Sequence, residues 1–141
     1  MPLAERLAAG LVVGLGSDVS GGAELSLFGV MRTGAYSQQA RASLLGDSGR
    51  VLGPLDWLRL GTLDGARALE LEDAIGSIEV GKEADLIAVD PARTAPLDVD
   101  DAAATGRLAD PELLISRLIF RADPSTVRAA WVRGRRLEGP A

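Results

Sequence analysis

The sequence contains no cysteine and no histidine. Without cysteine there are no disulfides, no thiolate metal sites and no thiol nucleophile. Without histidine, the commonest metal ligand and the commonest general base near neutral pH are both missing. Whatever these 141 residues do alone, they do without either chemistry. Long apolar runs are missing too: none could span a membrane. The segment Met1–Arg6 lacks the shape of a signal peptide, and with no cysteine a cytoplasmic location is the expectation. There is no basic excess, since the net charge is −5. Bulk electrostatics therefore exert no pull toward nucleic acid or acidic lipid. The one basic cluster, Arg133, Arg135 and Arg136, reads as a solvated strand edge, because charged edges discourage strand pairing.

What is present is enough chain for one domain with a real core. Pro2 to Ala9 reads as a short helix. The continuous apolar run Leu11–Leu15 reads as a buried strand of a parallel sheet. The loop "GLGSDVSGG", Gly14 to Gly22, follows directly. From Leu25 to Leu45 the apolar residues Phe28, Met31, Ala35, Ala42 and Leu45 fall on one helical stripe, which Gln38 interrupts. Gly46-Asp47-Ser48-Gly49 ends that helix. Pro54 and Asp56 suit the first turn of a helix, and Thr62 is placed to cap a second one that ends near Leu69.

The pattern then changes. "IGSIEVGKEADLIAVD", Ile75 to Asp90, predicts two strands around a Gly81-Lys82 turn. Ala92 to Ala109 reads as a surface loop. Pro111 starts a helix over 111–121 with Leu114, Leu118 and Phe120 inward. The last segment, Ser125 to Gly139, predicts two strands around Arg133-Gly134. A parallel strand needs parallel neighbours, and the sequence offers Leu11–Leu15 no second one, so the chain looks like the end of something larger. A strand in that position pairs with another chain, through itself and the helix at 25–45, or else folds back on the hairpin at 75–90.

A strand, a glycine loop and a helix together suggest a nucleotide site, but two phosphate motifs fail here. Gly14-x-Gly16 begins a dinucleotide fingerprint whose third glycine position is Val19. Gly16 to Gly21 has P-loop glycine spacing, but Gly22 stands where the lysine is required. Asp18 adds negative charge where phosphate would sit. The residues alone leave two readings of Asp18. It caps the following helix or bonds to the loop backbone, as Asx turns do, or it faces a cation at the end of a barrel strand. Trp57 and Trp131 read as core or interface anchors, and Asp85 as bonded to backbone. Tyr36, Gln38 and Gln39 read as helix surface.

The motifs "GLGSDVSGG", "TLDGARALEL", "IGSIEVGKEADLIAVD" and "AAWVRGRRL", in this order, resemble the C-terminal part of metal-dependent amidohydrolases. The nearest subgroup is similar to guanine deaminase and chlorohydrolase-like aminohydrolases. The resemblance implies an α/β fold, the C-terminal fragment of a (β/α)8 barrel together with strands of the small β-sandwich that accompanies it. Residues 1–72 would be the end of the barrel, with its eighth strand at 11–15 and helices at 25–45 and 54–69. Residues 73–141 would be the C-terminal part of the sandwich subdomain, with a helix near 111–121.

The same resemblance implies that Asp18, at the end of the eighth strand, ligates or adjoins a catalytic metal, zinc or another divalent ion. Asp18 would take the proton from the water that attacks the amine-bearing ring carbon, turning guanine into xanthine and ammonia. The family's histidine ligands and acid–base glutamate belong to sequence that is absent here. A barrel of this kind needs about 250 residues, so the chain corresponds to roughly the last third of such an enzyme. Alone it is expected to bind no zinc and to be inactive. The implied partners are a purine-like small molecule and either the missing N-terminal part or further copies of the chain. Alternative readings are a hydrolase of another amino- or chloro-substituted ring (triazine, pyrimidine or another purine) and a non-catalytic interaction or oligomerisation module.

Overall fold

A computed structural model describes residues 2–22, 24–46, 51–94 and 110–138. Helices α1 (Leu3–Ala8), α2 (Leu27–Leu45), α3 (Pro54–Leu60) and α4 (Leu63–Ala68) precede strand β1 (Leu86–Val89). Helix α5 (Pro111–Arg121) and strands β2 (Val127–Val132) and β3 (Arg135–Arg136) follow, with short 3-10 turns at Pro91–Thr94 and Pro124–Thr126. The result is a helical cluster beside a small antiparallel sheet of order β1-β2-β3.

Local chemistry accounts for the helix starts. Pro54 opens α3, and the Gly53 N–H donates to Asp56 Oδ2 at 2.9 Å, which satisfies an end donor that the helix itself cannot. Asp110 does the same for α5 by accepting from the Glu112 N–H at 2.9 Å. Thr62 precedes α4 but its side chain does not cap it; the hydroxyl turns back and donates to the Leu58 carbonyl at 2.8 Å. Helix α2 begins at Leu27 rather than Leu25, which lies exposed before it. It ends as expected at Gly46, in the left-handed conformation that glycine adopts without strain.

The helices meet over Leu3, Met31, Ala35, Trp57, Leu60 and Ile119, all buried. Burying a side chain such as Leu60 or Ile119 contributes about 1.5–3 kcal/mol. The expected α2 stripe is only half right. Met31 and Ala35 are buried where α3 and α5 pack on the helix, whereas Leu45 in its last turn is exposed. In α5, Leu118 is buried as expected, but the most deeply buried residue is its neighbour Ile119. It belongs to the buried cluster that includes Met31 and Ala35 of α2 and Trp57 and Leu60 of α3.

Two strand expectations fail, for one reason: a strand exists only where a neighbour completes its hydrogen-bond ladder. Leu11–Leu15 is not a strand in this chain. Among the described residues its main chain makes two bonds, Leu11 N–H to the Arg6 carbonyl at 3.1 Å and Leu15 N–H to the Leu60 carbonyl at 3.1 Å. Leu11 and Val12 are 50% and 59% exposed, while Val13 and Leu15 pack on the helical core. The segment does not fold back to join the sheet either, since β1 pairs with β2. Gly14 instead lies on α4, where an added Cβ would come within 2.9 Å of the Gly65 Cα.

Likewise, only the second arm of the hairpin expected over Ile75–Asp90 is a strand. The Gly81 turn forms, with φ +99°, but Ile78 and Val80 before it are exposed and unpaired. The C-terminal hairpin forms as expected: β2 pairs with β3 across Arg133-Gly134, and its other edge pairs with β1, Leu86 opposite Trp131. Of the loop expected over Ala92–Ala109, residues 92–94 are in a 3-10 turn that buries Thr94; the remainder lies outside the described residues, as does most of the helix-ending Gly46–Gly49 signal.

Candidate functional site

Asp18 sits in a turn that its backbone, not its side chain, maintains. The Asp18 carbonyl accepts from the Gly21 N–H at 2.8 Å and from the Gly22 N–H. Asp18 and Ser20 both have positive φ, +48° and +79°, a region that costs most residues energy and that Asp tolerates better than most. Space requires glycine at position 22, where the neighbour is backbone, whereas at Gly21 the neighbour is the movable end of a side chain. A Cβ on Gly22 would run into the Ser17 carbonyl oxygen, and one on Gly21 would lie 2.7 Å from Asp18 Oδ2. The carboxylate thus lies over Gly21, and among the described residues it makes no hydrogen bond or ion pair. The capping reading of Asp18 is therefore not what the fold uses: α2 begins after Ser26, without a side-chain cap.

Beside Asp18 is a cleft of about 350 Å³, within the range of about 300–1,000 Å³ typical of small-molecule sites. Leu3, Leu15 and Trp57 line it, together with the α2 residues Val30, Thr33, Gly34 and Ser37. Those α2 positions have helical spacing i, i+3, i+4, i+7. Gly34 is small because Trp57 lies against it: a Cβ there would be 2.7 Å from the indole Cζ3. The Ser37 hydroxyl donates to the Thr33 carbonyl at 2.8 Å. Gln38 reaches the cleft, but its side-chain oxygen accepts from the Leu3 N–H at 3.2 Å and so ties α1 to α2. Tyr36 points elsewhere, its ring tilted against Phe120 with centroids 5.6 Å apart. Gln39 is exposed.

Sequence reasoning missed four polar members of the cleft, Ser17, Glu24, Thr33 and Ser37. The spacing of small and polar residues along one face of α2 was the available signal for two of them. Glu24 is the second carboxylate of the cleft, and it is committed: Glu24 Oε1 lies 3.2 Å from Arg32 Nη2.

A catalytic zinc takes three protein ligands. Among the described residues no three His, Cys, Asp or Glu side chains stand close enough together to hold a metal. Asp18 can offer one carboxylate and no more, so the described residues do not make a metal site by themselves. Of the other candidates, Asp85 does bond to backbone, accepting from the Arg133 N–H at 2.7 Å, though it is exposed rather than buried. Trp57 is a core anchor and Trp131 is half-buried in β2. Arg133, Arg135 and Arg136 are exposed, with Arg133 Nε 3.7 Å from Glu83 Oε2.

Comparison with known proteins bears on what such a cleft does. Residues 1–137 match the model of the amidohydrolase family. A probable guanine deaminase of Deinococcus radiodurans is 34% identical over 133 residues, which make up 94% of this chain and 28% of that protein. An E. coli guanine deaminase shares the fold, with a TM-score of 0.80 at 22% identity over 96% of this chain and 29% of its own. An adenosine deaminase from Xanthomonas campestris, whose structure has zinc bound, is 32% identical with a TM-score of 0.71 over 96% of this chain and 27% of its own. The chain spans less than a third of each of these proteins.

Proposed function

Because the chain belongs to the amidohydrolase family, we propose that it is the C-terminal part of a hydrolase that removes the amine of guanine, giving xanthine and ammonia. The observation that carries this reading is the Asp18 carboxylate, uncommitted among the described residues, beside the α2 cleft. In the full-length protein residues 1–72 close a (β/α)8 barrel. Leu11–Leu15 becomes its eighth strand once a neighbouring strand supplies the ladder, and residues 73–141 contribute to the β-sandwich subdomain. The exposure of Leu11 and Val12 supports association through this segment, with the N-terminal part of the protein or with copies of the chain.

Asp18 has the chemistry of a proton acceptor. Its backbone is fixed by two N–H bonds while its carboxylate oxygens stay open. It takes the proton from the water that attacks the amine-bearing carbon and passes it toward the departing ammonia. A divalent metal such as zinc, held mainly by histidines that this chain lacks, supplies the acidity of that water when bound. With no histidine of its own, the isolated chain is expected to be inactive and to hold no stoichiometric zinc.

A second reading, another purine as substrate, is kept open by one observation: the adenosine deaminase, at 32% identity, is nearly as similar in sequence as the probable guanine deaminase of Deinococcus at 34%. The test is ammonia release by the full-length protein from guanine and from adenosine, run beside the isolated chain. Faster release from guanine and none from the isolated chain is the expected result. Preference for adenosine would move the assignment to the second reading, and turnover by the isolated chain would overturn the division of labour.

A further inference from the structure

The loop around Asp18 must be held from both sides to keep its carboxylate in one place. On the N-terminal side, the Leu15 N–H is bonded to the Leu60 carbonyl of α3. On the other side, the next described side chain beyond the glycines that reaches a partner is Glu24. Its carboxylate is laid over Gly29, in the first turn of α2, where a Cβ would occupy its place. There it meets Arg32 Nη2 at 3.2 Å, with both side chains about two-thirds covered, 32% and 27% exposed. Arg32 is itself anchored, because its neighbour Met31 and Ala35 one turn on are buried in the core.

We propose that the Glu24–Arg32 pair is a positioning clamp for Asp18, a role that rests on the proton-acceptor reading above. Three features of the geometry point the same way. First, a surface ion pair is ordinarily worth little, yet the carboxylate of this one packs directly on Gly29, which is buried. Second, a carboxylate over the first turn of a 19-residue helix interacts favourably with the helix dipole. Helix α2 has no side-chain cap from Ser26, so Glu24 supplies the negative charge that the N-terminus otherwise lacks. Third, Glu24 and Asp18 line the same cleft. Pairing with Arg32 balances the Glu24 charge, so of these two cleft carboxylates only Asp18 stays uncommitted among the described residues. Arg32 thus holds the loop's outgoing end and balances the second carboxylate. Neither residue touches a reacting atom in this scheme.

The experiment uses the full-length protein with Glu24→Ala, Glu24→Gln and Arg32→Lys, reading two things. One is amide hydrogen exchange across residues 16–24, where the Gly21 and Gly22 N–H groups report the turn on the Asp18 carbonyl. The other is the split between kcat and KM. Glu24→Ala is expected to speed exchange of that segment about tenfold, with exchange in β2 unchanged. It is also expected to lower kcat about tenfold with KM nearly constant, since small misplacements of a reacting group cost rate rather than binding. Arg32→Lys, which keeps the charge, should recover most of both, and Glu24→Gln should fall between. Unchanged exchange in 16–24 would overturn the clamp whatever the activity. If Asp18→Asn retained full turnover, the proton-acceptor reading would fail, while the exchange result would still decide whether Glu24 holds the loop.

Discussion

Two aspartates of this chain lie beside turns that need positive φ, and they are used in opposite ways. Asp85 spends its carboxylate on the β2–β3 turn, accepting the N–H of Arg133, whose φ is +52° and which precedes Gly134 at +74°. Asp18 is itself inside its turn, at φ +48°, and the turn is closed by its carbonyl. One side chain substitutes for a missing main-chain partner. The other is relieved of that duty because Gly21 and Gly22 bring their own N–H groups to the Asp18 carbonyl. An aspartate in a glycine-rich turn is thus structural when a nearby donor faces its carboxylate, and chemically available when the backbone satisfies itself.

The sharpest way to break this comparison is to remove the charge from each. Asp18→Asn in the full-length protein should keep the fold and lower turnover by about 10²-fold or more, the range of general-base contributions. Steady-state kinetics with a thermal melt checks both halves, and near-normal turnover would make Asp18 as structural as Asp85. Next in size is Gly22→Ala. Its Cβ meets the Ser17 carbonyl oxygen, so the turn must shift, at about 2 kcal/mol and with lower turnover. Gly16→Ala is the control: nothing lies within 4 Å of its Cβ and its φ is not positive, so it should stay within about 0.5 kcal/mol. Denaturant midpoints at constant slope measure the difference.

Asp85→Ala comes third. It removes the acceptor of an exposed N–H that water can partly satisfy, so it should cost about 1 kcal/mol or less and leave kcat unchanged. A fall in kcat would show that the two turns are not independent. The smallest effect concerns pH. Asp123 is held below the usual carboxylate range by its hydrogen bonds with Ser125, then by Thr126 and the Arg93 charge. Glu79 is lowered likewise, by Ser77 first and then Lys82. A group whose pKa is depressed on folding stabilises the fold above its unfolded value, and that contribution is lost as pH falls through the folded one. Both groups are exposed, so Asp123→Asn should do no more than flatten the acid limb of the stability curve below the usual carboxylate range. A steeper limb in the variant would reverse the sign.

What could be read from the sequence alone was whatever depends on neighbours in the chain. Pro54 and Asp56 start a helix, Gly46 ends one and Arg133-Gly134 turns a hairpin, because caps and turns are settled within a few residues. The order of the motifs was enough to suggest the amidohydrolase family, which the match over residues 1–137 shows. Pairing and coverage were beyond it. Leu11–Leu15 has the composition of a buried strand, but a ladder needs a second strand and none of the described residues provides one. Leu45 has helical spacing but lies exposed, and Ile119 is buried in a cluster with Met31 and Ala35 of α2 and Trp57 and Leu60 of α3. Whether Asp18 capped a helix or stood open depended on where α2 began and which backbone groups faced its carbonyl. Only the tertiary structure decides such questions, because burial, pairing and an uncommitted carboxylate are properties of what lies nearby in space.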